Sequence, residues 1–107
     1  DMIRDFTYID DAAEATVRLL DADLKEGYNL VNIGHAHPEK LMDFIGALEK
    51  SLTCKAKINF EEIQEGDVAS THADTQKLQS LIDFKPSIAI TEGVLAWVNW
   101  YRGYVKK

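Results

Sequence analysis

The chain has 107 residues, with 12 Lys or Arg against 18 Asp or Glu and a formal charge of −6. That length buries roughly 60–70% of the surface its unfolded chain exposes, enough for one core and one domain, here 1–107. Scattered cations on an acidic chain exclude a general nucleic-acid or anionic-membrane surface, which needs clustered Lys and Arg, and no apolar run approaches the ~18 residues of a membrane span.

The close basic groups Lys50-Lys55-Lys57 and Lys106-Lys107 read as solvated faces. Asp1 to Asp11 is mixed and charged, without the apolar stretch of a signal peptide. A lone Cys54 cannot close an internal disulfide and reads as a structural or incidental thiol, which fits a reducing, cytoplasmic setting.

In chain order, Asp5 to Ile9 is strand-like. Ile9, Ala12, Ala13, Thr16, Val17 and Leu20 then recur at helical spacing, with Asp10 as the N-cap and an end near Ala22. Lys25-Glu26-Gly27 makes a turn, and Tyr28 to Ile33 alternates as a strand closed by Gly34. His35-Ala36-His37-Pro38 opens the next element, Pro38 suiting the first turn of a helix whose apolar stripe is Leu41, Phe44, Ile45, Leu48 and Leu52.

Lys55 to Glu62 sets Ala56, Ile58 and Phe60 against polar neighbours, the pattern of a strand with one buried face. A polar loop runs from Glu62 to Thr71. Asp74 caps a short helix carrying Leu78 and Leu81 that ends before Pro86. Thr91 caps a longer helix with Ile90 and Leu95 as its staple and Val94, Trp97, Val98, Tyr101 and Val105 as its buried seam. The predicted fold is α/β, with few strands and about four helices.

Three blocks carry a family likeness: Arg4-Asp5-Phe6-Thr7-Tyr8-Ile9-Asp10-Asp11, then Gln64-Glu65-Gly66-Asp67-Val68, then Ser70-Thr71-His72-Ala73-Asp74-Thr75. Together with Phe84-Lys85-Pro86 and the helix from Glu92-Gly93-Val94 to Tyr101, they resemble the NAD-dependent epimerase/dehydratase family of extended short-chain dehydrogenases. The likeness is strongest to its UDP-glucuronate 4-epimerase group. It implies the small C-terminal, substrate-binding lobe of such an enzyme, with the Rossmann domain absent and the true amino terminus lying in a missing N-terminal domain.

The same resemblance implies that NAD belongs to the missing domain. The family's Gly-x-Gly-x-x-Gly turn and Tyr-x-x-x-Lys pair do not occur here, where the six glycines stand singly. We therefore expect no catalytic residue and no cofactor-binding residue in this chain, and an inactive fragment that self-associates through the face its missing domain would cover.

The resemblance implies three substrate-binding residues. Arg4 offers a planar fork of donors matched to phosphate oxygens and is expected on the diphosphate of a UDP-sugar. The plainer alternative is a surface ion pair with Asp1, Asp5 or Glu14. Asp67 is expected to accept bonds from the ribose hydroxyls after a turn made possible by Gly66, although a plain turn with a surface aspartate reads the same way. Gln64 stands where many relatives carry arginine, and Glu65 replaces the proline of the group's Gln-Pro-Gly-Asp-Val run, putting a negative charge near an anionic ligand.

Other polar clusters have structural readings. Asp10 and Asp11 suit the start of a helix, where carboxylates cap N–H groups and meet the positive end of the dipole. His72, where tyrosine is usual, is a loop histidine or faces the substrate cleft. His35, His37 and Glu39 are too few for a closed metal site. The aromatic stripe of the last helix is core or interdomain packing. Alternatives to the epimerase reading are another nucleotide-sugar epimerase or 4,6-dehydratase acting on a dTDP- or GDP-sugar, and a non-enzymatic nucleotide- or partner-binding domain.

Overall fold

The computed structural model describes residues 1–25 and 27–106. Two short strands, β1 (Ile3–Arg4) and β2 (Glu39–Lys40), accompany four helices: α1 (Ile9–Asp21), α2 (Leu41–Leu52), α3 (Gln76–Ile82) and α4 (Ile90–Val105). This is the small α/β architecture the sequence predicts.

β1 is the organising element. It pairs antiparallel with β2, Ile3 opposite Lys40 and Arg4 opposite Glu39. On its other side Ile3 bridges Ser70 in parallel, its N–H donating to Ala69 O (2.9 Å) while Thr71 N–H donates to Ile3 O (3.1 Å). β2 runs straight into α2, whose first N–H, that of Leu41, donates to Met2 O at 2.9 Å. One of the orphan donors at that helix end is thus satisfied by the strand beside it.

The helices pack in two pairs, α2 on α4 and α1 on α3. Ala15 of α1, Leu78 of α3 and Val94 and Val98 of α4 form the buried apolar core. Asp11 ties the layers together: nearly buried, its Oδ2 accepts from Ser87 N–H (3.0 Å) and Ile88 N–H (2.8 Å) on the approach to α4. Asp11 is therefore a long-range tether and no helix cap. α1 begins after Tyr8, with Asp10 and Asp11 inside its first turn, where the favourable dipole contact remains.

Several expected boundaries move. The helix expected to include Pro38 starts at Leu41, because residues 39–40 give their backbone bonds to β1. The last helix is entered from Ala89 and not from Thr91, and no N-cap side chain bonds at any of the four helices. Asp74 does supply a local cap, its Oδ1 accepting from Gln76 N–H at 3.1 Å, although the N-cap position falls on Thr75.

The strands expected at residues 5–9, 28–33 and 55–62 are absent among the described residues; the short strand β1 precedes the first of these. Alternation signals a face to bury, but a strand exists only beside a backbone that completes its ladder. Here Leu30 and Phe60 remain exposed.

The predicted seam of α4 is only partly buried. Val94 and Val98 face inward, whereas Trp97, Tyr101 and Val105 are exposed, as is Leu95 of the expected staple. The aromatics stack along their own helix instead, Trp97 on Tyr101 and Trp100 on Tyr104, each pair with centroids 5.1 Å apart. Residues four apart lie one above the other on a helix, so these rings shield each other without entering a core.

Candidate functional site

Arg4 ends β1, and Asp67 closes a turn in the long polar loop. The turn forms because Asp67 N–H donates to Gln64 O (3.1 Å) while Gly66 takes φ of +85°, the third-position geometry of a type II turn that a side chain disfavours. The Ile3–Ser70 bridge then holds the loop alongside β1. Arg4 Nη2 consequently reaches Asp67 Oδ1 at 3.1 Å across 63 residues of sequence.

Arg4 Nη1 donates to Ile3 O at 2.8 Å, which fixes the guanidinium, and Asp67 Oδ1 also accepts from Val68 N–H at 3.2 Å. The Arg4 side chain is 23% exposed and that of Asp67 49%. Of the expected site residues, Arg4 and Asp67 come into contact. Gln64 joins them only through the main chain of the turn and is itself exposed. The ion-pair partner of Arg4 is Asp67, and none of Asp1, Asp5 and Glu14, since Glu14 binds Arg18 at 2.8 Å.

Behind Arg4, Asp5 positions the backbone. Its Oδ2 accepts from Ala73 N–H (2.8 Å) and Ala36 N–H (3.1 Å), and its own N–H donates to Thr71 Oγ1 (3.0 Å). Three chain segments meet there so closely that a Cβ on buried Gly34 would lie 2.7 Å from Ala73 Cβ. From the sequence, Asp5 is one of several closely spaced carboxylates and a candidate ion-pair partner of Arg4. Its role is set by backbone groups far along the chain, and no local pattern announces it.

The remaining candidates stay apart. His37 Nδ1 meets Glu39 Oε1 at 3.0 Å with the His35 ring 5.7 Å away, and no cluster among the described residues could hold a metal ion. His72 is exposed beside a polar hollow of about 430 Å³ lined by Asp5, Thr7, Asn32 and Thr71. A second hollow, about 320 Å³ and apolar, lies where Phe6 stacks on Phe44 (4.3 Å) beside Tyr8, Leu48, Val94 and Trp97. No helix among the described residues is long and apolar enough to cross a membrane.

No protein-family model matches the chain. It is 37% identical to a probable UDP-glucuronate 4-epimerase of Rhizobium meliloti, over 94% of this chain and 34% of that protein. It is 39% identical to the UDP-glucuronate 4-epimerase of Thermodesulfobacterium geofontis, over 91% of this chain and 29% of that protein. A mutant UDP-glucuronic acid 4-epimerase from Bacillus cereus, solved with UDP-4-deoxy-4-fluoro-glucuronic acid and NAD, superposes with a TM-score of 0.86 at 30% identity, over 96% of this chain and 33% of that one.

The chain is a homologue of the UDP-glucuronate 4-epimerases. It spans about a third of the length of the curated relatives it matches.

No strand among the described residues passes through a glycine turn into a helix. A pyrophosphate is held where a parallel strand passes through a glycine turn into a helix, so that backbone N–H groups point at the phosphates. Here the two strands are antiparallel and two residues long, and β2 enters α2 through Lys40 without a glycine.

Proposed function

We propose that this chain is the substrate-recognising lobe of an NAD-dependent UDP-glucuronate 4-epimerase-like enzyme. The observation that carries this reading is the convergence of Arg4 and Asp67 beside the Gly66 turn, a cation and a carboxylate 63 positions apart in the sequence on one accessible surface. Arg4 binds the diphosphate through its guanidinium fork, Asp67 accepts from the ribose hydroxyls, and Gln64 adds an uncharged contact at the far end of the turn. Asp5 holds all of this in register from behind.

The lobe's contribution is orientation. Fixing the nucleotide end of the sugar confines its ring to one place, which turns the reaction at C4 into an effectively intramolecular step. NAD, held by residues outside this chain, supplies the hydride exchange when bound. The chain alone is therefore inactive, and it self-associates through the apolar surface around Phe6, Phe44 and Trp97.

Calorimetric titration of the chain with UDP and UDP-glucuronate, beside Arg4→Ala at low ionic strength, tests the proposal. Binding that weakens at least tenfold in the variant is the expected result. Equal affinity in both proteins, or none in either up to millimolar ligand, overturns it.

A further inference from the structure

The segment that follows α2 carries an alternating pattern with no backbone beside it. Among the described residues, no backbone–backbone hydrogen bond reaches residues 57–63, and every residue of that stretch is exposed, Ile58 at 42% and Phe60 at 79%. Glu49 fixes where the segment starts, its carboxylate accepting from Ala56 N–H at 2.9 Å and from Lys55 Nζ at 3.0 Å. Asn59 Nδ2 donates to Glu61 Oε1 at 3.1 Å. These two side chains therefore share a face, as residues two apart do along an extended backbone, and Ile58 and Phe60 fall on the other.

We infer that this segment pairs antiparallel with the same segment of a second copy of the chain, about a two-fold axis at Asn59. That register sets Lys57 against the partner's Glu61 and Ile58 against the partner's Phe60, each contact occurring twice. Residues directly opposite in an antiparallel pair lie on one face, so charge meets opposite charge on one side and apolar meets apolar on the other. Moving the axis to Phe60 sets Ile58 against the partner's Glu62 and Lys57 against the partner's Ile63, and both matches are lost. Among the described residues, neither Lys57 nor Glu61 has an ion-pair partner in its own chain. The second copy supplies both charges, together with the backbone groups that complete a ladder for residues 57–63.

This contact is separate from the apolar surface around Phe6, Phe44 and Trp97, and it does not depend on the nucleotide reading of the Arg4 site. Two strands alone are marginal in water, so the association is weak, with a dissociation constant of roughly 0.1–1 mM. A cross-strand charge pair is worth a factor of roughly two to five, and like charges opposite each other cost about as much. Reversing one sign converts both attractions of the dimer into repulsions and should weaken pairing at least about tenfold.

The test is sedimentation equilibrium of wild type, Lys57→Glu, Glu61→Lys and an equimolar mixture of the two variants at low ionic strength, with circular dichroism to verify each fold. Each variant alone is expected to associate at least about tenfold more weakly than wild type, and the mixture to associate like wild type, because each variant then carries the charge the other needs. In a Cys54→Ser background, Asn59→Cys should form a disulfide dimer under mild oxidation, since residues facing across the axis have Cα atoms about 4.5–5.5 Å apart. Glu62→Cys, about 20 Å from its mate in the same register, should not. Wild type that stays monomeric at about 1 mM overturns the pairing, as do a mixture no tighter than its components and equal cross-linking at the two positions. Association equally strong in both charge variants places the contact on the apolar surface instead and leaves the reading of the Arg4 site untouched.

Discussion

Replacing Asp11 by alanine should be among the costlier single changes to this chain. The carboxylate is 5% exposed, and one oxygen accepts two backbone N–H groups, from Ser87 at 3.0 Å and Ile88 at 2.8 Å. A hydrogen bond to a charged group contributes about 1.5–3 kcal/mol, so the pair is worth roughly 3–6 kcal/mol if both donors stay dry. Ser87 is exposed, so water partly replaces the lost acceptor and the expected cost is about 2–4 kcal/mol. A domain of this size has on the order of 5–15 kcal/mol in all, so the loss is a large fraction. Followed by circular dichroism in urea, with a slope of about 1.5 kcal/mol per molar, the midpoint should fall by roughly 1.3–2.7 M. Asp11→Asn, which keeps an acceptor oxygen, should lose about half as much, and exposed Asp10→Ala should change stability by no more than about 0.5 kcal/mol. A midpoint for Asp11→Ala no lower than that of Asp10→Ala would refute the tether.

The glycines separate by the space around them. Gly34→Ala drives a Cβ to 2.7 Å from Ala73 Cβ at the Asp5 junction and should destabilise by about 1–3 kcal/mol, whereas Gly46→Ala, in the interior of α2 with nothing within 4 Å, should stabilise by roughly 0.5–1 kcal/mol; thermal melts of the two variants give the signs. Glu49 anchors the segment after α2: the Ala56 N–H and, next, the Lys55 ammonium hold its carboxyl below its ordinary value of 4.5. A folded-state value lowered in this way contributes stability that is fully present above pH 4.5 and disappears as pH falls through the depressed value. Wild type should therefore exceed Glu49→Gln in melting temperature at pH 7 and converge with it toward pH 3, and a gap that stays constant across that range contradicts the assignment.

Local pattern alone determined the four helices and the polar turn, because a helix satisfies its own backbone and its apolar stripe is written at fixed spacing. The three family-like blocks are equally legible, and they single out Arg4, Gln64 and Asp67 as the expected substrate contacts. Residues 28–33 and 55–62 alternate without forming strands because alternation records only which face wants burial. Whether a strand forms depends on a neighbouring backbone, and that neighbour is not specified within the segment. Pro38 and Asp10 were misplaced for a related reason: pairing with β1 and the reach of α1 fixed those helix starts, overriding local capping preference. Tertiary structure alone decided that Asp5 and Asp11 are fasteners and that Arg4 meets Asp67. Each of these depends on backbone N–H groups or side chains brought close by the Ile3–Ser70 bridge and the packing of α1 on α3 and α2 on α4. Contacts between residues 63 or 77 positions apart leave no periodic trace in the sequence that makes them.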